Sequence, residues 1–245
     1  MSCLLFIFAI EPLAHALRAS RLKGMSIPGE PDRLIAALFA DDTTVYLDES
    51  DDYAMLEGIL TKWCKGARAK FNIDKTDVLP VGTPEFRKEL AARTSPSALG
   101  MSIPRSVRVV GDGELIRSLG AWIGNACDLD APWVTMMQTL ERNLQFWTRR
   151  KPTILGRKLI VDMEVGGRTQ FLAKAQGMSE AVEKRISRMI TTFMWNGAKH
   201  PRVSKETLCR PVSEGGLNLL DVEARNEAMD LMWLKEFLAS GAARP

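Results

Sequence analysis

The sequence predicts an α+β chain, a partial antiparallel sheet with packed helices followed by an all-α helical bundle. Three observations carry this reading. Two apolar runs, residues 34–38 and 43–47, are rich in β-branched and aromatic residues and flank a short acidic turn, so residues 33–48 read as a β-hairpin. Val107-Arg108-Val109-Val110, the turn Gly111-Asp112-Gly113 and residues 115–123 read as a second hairpin. Beyond Gly124 the apolar residues recur at helical spacing. The boundary is expected at 124–131, dividing the chain into 1–124 and 125–245.

Residues 2–22 read as a buried helix, apolar nearly all round at first and then amphipathic, with Pro12 bending it or marking its middle turn. Residues 24–32 are rich in Gly, Pro and acids and read as a loop. Asp51 and Asp52 open a second helix, where acids suit the N-terminal dipole. Tyr53, Leu56, Leu60, Trp63, Ala67 and Phe71 supply its apolar face. Residues 82–104 read as a loop with at most a short helix near 84–92.

Asp130 and Pro132 start the first helix of the bundle. Its stripe of Trp133, Met136, Met137, Leu140, Leu144 and Trp147 is core rather than a ligand box. A second helical stretch covers 153 to about 176, with Gly166-Gly167 marking a weak point or kink. Ser179 caps a third, which turns Val182, Ile186, Met189, Ile190 and Phe193 inward and stops at Gly197. A fourth covers about 221–239.

The apolar fraction of 46% suits a packed globular chain. Net charge is only +3 but unevenly spread: residues 141–210 hold 15 Lys/Arg against 6 Asp/Glu, leaving the remainder net acidic. That suits a polyanion in one part and metal ions in another, or simply solvated helix faces. Cys3, Cys64, Cys127 and Cys209 are widely spaced and form no CxxC pair, which argues against a zinc site or a disulfide framework and for a reduced compartment. The apolar run 3–10 lacks a basic segment before it and is interrupted by Glu11-Pro12, so it reads against a signal peptide. It is also far shorter than the about 20 residues a bilayer needs. The expected setting is intracellular, cytoplasmic and nuclear, with no membrane partner and no secretion.

Phe39-Ala40-Asp41-Asp42 is the most informative stretch. Adjacent carboxylates at a hairpin tip offer oxygen ligands to a hard divalent cation, although two acids in a turn also suit a merely solvated turn. Further pieces follow in order: Asn72, Lys75 and Thr76; Leu119-Gly120 with Ile123-Gly124; and the string Trp195-Asn196-Gly197, Pro201-Arg202-Val203, Leu208-Cys209-Arg210-Pro211 and Glu214-Gly215-Gly216-Leu217. Ahead of them stands Leu4-Leu5-Phe6-Ile7-Phe8-Ala9-Ile10-Glu11-Pro12-Leu13. Together they resemble the reverse transcriptase of non-LTR (LINE-type) retrotransposons, from the helix after motif B, through motifs C and D and the Leu-Gly strand that grips the primer, to the string beyond the thumb.

The resemblance implies the second half of the palm in 1–124 and a helical thumb and post-thumb region in 125–245. It implies RNA-directed DNA polymerase chemistry by two-metal nucleotidyl transfer, with an RNA template, a DNA primer and dNTPs as partners. Asp41 and Asp42 would hold Mg²⁺ or Mn²⁺, and Lys75 would neutralise or protonate the leaving pyrophosphate. Phe39 would pack in the core or under the primer end. The fingers, the motif A aspartate and the Gln-Gly turn of motif B are not in this sequence. The expectation is therefore a fragment inactive alone, binding metal weakly if at all, with the missing N-terminal half of the polymerase as a possible partner. Arg149, Arg150, Lys151, Arg157 and Lys158, with Lys184, Arg185 and Arg188, are the candidate nucleic-acid contacts, acting on phosphates. Two alternatives stand beside this reading: a non-catalytic module binding RNA or an RNA–DNA hybrid, and a decayed retroelement remnant. An unpaired palm edge would favour aggregation.

Overall fold

A computed structural model describes residues 2–27, 32–198 and 201–238. The class is α+β, and the chain divides into two compact units. The first holds residues up to Leu119 together with Ile123–Cys127; the second holds Gly120–Trp122 and the chain from Asp128 onward.

In the first unit, helix α1 (Ser2–Arg18) continues through Pro12. Its buried face is Ile10, Leu13, Ala14 and Leu17, spaced i, i+3, i+4, i+7. The expectation of a helix buried from its start is corrected here: Leu4, Leu5, Ile7 and Phe8 are exposed, because only the second half of α1 presents a face to neighbouring elements. Strands β1 (Ala36–Phe39) and β2 (Asp42–Val45) form the first hairpin, in the register Ala36↔Val45 to Phe39↔Asp42. Helix α2 (Tyr53–Ala67) follows, capped by Asp52, whose side chain accepts from the Ala54 N–H. Leu13 and Leu17, Ile35 and Ala36, and Tyr53 and Leu56 meet in one apolar cluster.

Asp51 has a larger role than the dipole contact expected of it. Its carboxylate is buried and accepts from the backbone N–H groups of Lys23 (2.8 Å), Gly24 (3.2 Å) and Asp48 (2.8 Å). It thus ties the end of the hairpin to the loop after α1. Gly24 sits at φ +61°, and a Cβ there would lie 2.5 Å from the Leu34 carbonyl oxygen, so only glycine fits beside this clamp.

Among the described residues the expected partial antiparallel sheet is replaced by three two-stranded sheets. Strand β3 (Asp77–Val78) pairs in parallel with β4 (Arg108–Val109). Between them run the short helices α3 (Pro84–Ala91) and α4 (Ala98–Ser102), the second unforeseen in the sequence. The second hairpin is corrected too. Arg108 and Val109 pair with β3, and the hairpin is instead β5 (Ile116–Ser118) with β6 (Ala121–Ile123). Leu119-Gly120 is its turn rather than a strand, with φ of 48° and 88°. Gly111-Asp112-Gly113 is not a hairpin turn: Asp112 takes a bidentate ion pair from Arg87 on α3, 2.8 Å at each oxygen.

The second unit is helical. Helix α5 (Ala131–Thr148) buries Trp133, Met137, Leu140 and Leu144, as its stripe predicts. Asp130 makes no cap hydrogen bond to α5; its carboxylate accepts from the Ser179 hydroxyl at 2.7 Å, joining the starts of α5 and α8 (Glu180–Met194). Between them, α6 (Ile154–Ile160) passes through a π-helical stretch, Val161–Gly166, into α7 (Gly167–Gln176). The weak point signalled by Gly166-Gly167 is this widened turn. Val161, Val165, Leu140 and Ile186 are sealed from solvent at the centre of the core.

Helix α9 (Lys205–Cys209) and the loop after it feed α10 (Val222–Leu238). In that loop the Leu217 and Leu219 N–H groups both donate to the Leu208 carbonyl, and the Asn218 N–H donates to that of Arg210. A Cβ on Gly216 would lie 2.0 Å from the Arg210 carbonyl oxygen, which explains the glycine in Glu214-Gly215-Gly216-Leu217. No described helix is long and apolar enough to cross a membrane.

Candidate functional site

The hairpin tip is a two-residue turn, Ala40-Asp41, closing the pair Phe39↔Asp42. Ala40 takes φ +51°, a left-handed conformation that costs a residue with a Cβ. The period of two along each strand then sorts the side chains. Leu38 and Thr43 face inward and are half-buried, whereas Phe39, Asp42 and Thr44 face outward and are exposed. Phe39 is 67% exposed, so it is neither core nor packed under anything within this chain.

Asp41 and Asp42 are both exposed at this tip. Among the described residues, neither carboxylate accepts a hydrogen bond or joins an ion pair. Their oxygens are open to a ligand, and two carboxylates suit Mg²⁺ or Mn²⁺ in kind. They fall short in number: among the described residues no three His, Cys, Asp or Glu side chains gather in a group able to hold a metal ion. The residues present therefore do not make a two-metal cage by themselves.

Lys75 lies in a separate element, the 3₁₀ turn Ile73–Lys75, and is exposed. The Asn72 side chain caps that turn by accepting from the Asp74 N–H at 3.1 Å, and the Thr76 hydroxyl donates to the Asn72 carbonyl at 2.9 Å. The Asn-x-x-Lys-Thr spacing thus builds a self-closed turn that presents the lysine outward. Among the described residues, no ion pair joins Lys75 to Asp41 or Asp42.

The basic candidates separate into three groups. Arg149, Arg150 and Lys151 are exposed and consecutive just past α5, with Arg150 stacked 3.7 Å from the centre of the Phe146 ring. Lys158, Lys184 and Arg185 are paired within the unit, with Asp162 (2.6 Å), Glu180 and Glu141 (3.1 Å) respectively, while Arg188 is exposed. Arg157 does not belong with the open phosphate contacts. It is buried, and donates to the carbonyls of Phe193 (2.5 Å) and Pro152 (3.2 Å) and to Asn196 Oδ1 (3.4 Å). A guanidinium placed at the last carbonyls of α8 offsets the negative end of that helix.

Sequence reasoning missed Glu164. It projects from the π-helical stretch beside an open pocket of about 330 Å³ lined by Asn143, Phe146 and Trp147. Burial pushes its carboxyl up. Hydrogen bonds from Arg168 (2.8 Å), Asn143 (2.8 Å) and the Trp147 indole (3.3 Å) outweigh this and hold it below the usual carboxylate range. Gly166-Gly167 was the only local signal for it.

No family model matches the chain, and no curated protein matches it.

Proposed function

We propose that this chain is the palm-to-thumb part of a non-LTR retrotransposon reverse transcriptase, with residues 1–124 as partial palm and 125–245 as helical thumb and post-thumb region. The observation that carries the reading is the pair Asp41-Asp42, adjacent and exposed at the tip of a tight hairpin whose turn holds Ala40 in a left-handed conformation. The order of the other motif-like pieces along the chain supports it. In this reading Asp41 and Asp42 supply part of a carboxylate cage for Mg²⁺ or Mn²⁺, which when complete stabilises the attacking and leaving oxygens of nucleotide transfer. Lys75, exposed on its 3₁₀ turn, offers positive charge to a departing pyrophosphate. The cage needs a further carboxylate, so these residues alone are assigned no turnover.

The test has two parts. The transcript encoding the chain is sequenced upstream, where an in-frame aspartate-bearing strand and a Gln-Gly turn are expected. The longer protein is then assayed for RNA-templated extension of a DNA primer with dNTPs and Mg²⁺, an activity expected to vanish in Asp41→Ala. An upstream frame without those features, or extension indifferent to Asp41→Ala, overturns the proposal.

A second reading, a non-catalytic module that binds RNA or an RNA–DNA hybrid, is favoured by the exposed run Arg149-Arg150-Lys151. Binding would then weaken steeply with salt, drop on charge reversal of those three residues and survive Asp41→Ala with Asp42→Ala.

A further inference from the structure

The geometry points to a base-stacking site for single-stranded nucleic acid on the C-terminal half of α5, at the open pocket beside Glu164. The inference rests on the reading of this chain as a nucleic-acid binder, and adds the form of the strand and the part of it that is held. The pocket, about 330 Å³, is lined by Arg142, Asn143, Phe146, Trp147 and Glu164. It lies at the lower end of the range for small-molecule sites, about 300–1,000 Å³, and shares their pattern of aromatic walls with a few placed polar groups.

The two rings are held from within the unit. Trp147 is half-buried, and its indole N–H donates to the Glu164 carboxylate at 3.3 Å. Asn143 donates to the same carboxylate at 2.8 Å. Phe146 meets Trp147 edge-on, with ring centres 5.7 Å apart, and carries the Arg150 guanidinium 3.7 Å from its own centre. Even so it is 48% exposed, which leaves much of the ring open to a ligand. A ring already fixed by its neighbours loses little freedom when a flat partner stacks on it, so its contact area converts efficiently into affinity.

The surrounding charge selects the partner. Arg142, Phe146, Arg149 and Arg150 stand at i, i+4, i+7 and i+8, and Arg149 keeps helical dihedrals (φ −61°, ψ −22°), so the four share one side of the helix. At a rise of 1.5 Å per residue, about 10 Å separates Arg142 from Arg149, with the ring between them. Arg142, Arg149, Arg150 and Lys151 are exposed, and among the described residues none of them joins an ion pair. Cations on both sides of an aromatic shelf match a strand that alternates phosphates with flat bases. Glu164 determines which part of the strand enters the pocket. A phosphate would meet its carboxylate, whereas a base brings a π face and N–H donors. A duplex keeps its bases stacked on one another and offers Phe146 no free face, so the strand is single. A cationic side chain of a protein partner would suit Glu164 and the rings, but the four surrounding cations oppose it.

The test uses the full chain and two fluorescein-labelled probes of equal length and charge, an oligouridylate and its abasic counterpart, followed by anisotropy. Wild type should bind the oligouridylate about tenfold more tightly than the abasic strand, the scale of stacking on one ring. Phe146→Ala should remove that preference, weakening the oligouridylate about tenfold and the abasic strand by less than about twofold. The slope of log affinity against log salt should not change in this variant, since stacking releases no counterions. Phe146→Tyr should restore the preference. Charge reversal at Arg149 should instead weaken both probes together and reduce the slope. Equal wild-type affinity for the two probes, or a loss shared by both in a Phe146→Ala protein of unchanged thermal midpoint, overturns the stacking site while nucleic-acid binding stands. Salt-dependent binding of neither probe overturns both. Tighter binding of an oligoarginine peptide than of either strand would assign the pocket to a cationic partner and overturn the proposal.

Discussion

The hairpin unit and the helical unit use their charges in opposite ways. At the tip of the hairpin, Asp41 and Asp42 stand exposed, with no partner among the described residues. In the helical unit half of the basic residues that the sequence offers for a polyanion are already engaged: Lys158, Lys184 and Arg185 with acids, and Arg157 with backbone carbonyls. A net-positive segment is therefore a weaker guide to binding than two unpaired acids, because a charge acts on a ligand only where its own fold has not neutralised it. Arg149, Arg150 and Lys151 are what remains exposed as a run.

The largest expected effect lies where a charge is most deeply committed. Arg157→Ala removes the donor to the Phe193 carbonyl and leaves that oxygen buried. A loss of about 3 kcal/mol is expected in denaturant unfolding. A cost under about 0.5 kcal/mol would show Arg157 to be a surface-like cation and would erase the contrast between the units.

The hairpin unit has one comparable commitment. Asp51→Asn keeps one acceptor oxygen for three backbone donors, those of Lys23, Gly24 and Asp48, and places an NH₂ where an acceptor stood. A destabilisation of about 2 kcal/mol is expected, with amide exchange quickened at Lys23, Gly24 and Asp48. Unchanged protection at those three amides would show that the clamp does not hold the loops.

Glu164 gives the contrast a pH dependence. Its folded pKa is lowered, so the stability it contributes is fully present above the unfolded value of about 4.3 and is lost as pH falls through the lower folded value. The thermal midpoint of the wild type should fall as pH drops below about 4, and Glu164→Gln should flatten part of that decline. An identical acid limb in both proteins would remove Glu164 as its source. The depressed pKa of Asp48, due first to hydrogen bonding from Ser50, acts in the same direction and remains in the variant.

What was legible in the sequence was local. Asp52 and Ser179 cap their helices as read, because a cap is a contact over three or four residues. The hairpin turn that carries Asp41 was legible for the same reason. Gly166-Gly167 marked a break but not its kind, since a π turn depends on how Glu164 and its partners pack. The parallel pairing of β3 with β4 was invisible, as two-residue strands about thirty positions apart leave no periodicity. Arg157 carried the same local signal as its neighbours Arg149 and Arg150. Only its contact with Phe193, far along the chain, distinguishes it.

The smallest expected effect is at the tip itself. Exposed acids with no intramolecular partner contribute little to folding, so Asp41→Asn and Asp42→Asn should each change unfolding free energy by under about 0.5 kcal/mol. Mutual repulsion of adjacent carboxylates makes a slight gain the expected sign. The double variant sharpens the comparison: if it is as stable as the wild type yet has lost Mn²⁺-induced broadening of the Ala40–Thr43 amide resonances, the acids serve a ligand and not the fold. A destabilisation above about 1 kcal/mol would mean that the two carboxylates are structural after all, and would remove the observation on which the catalytic reading of this hairpin rests.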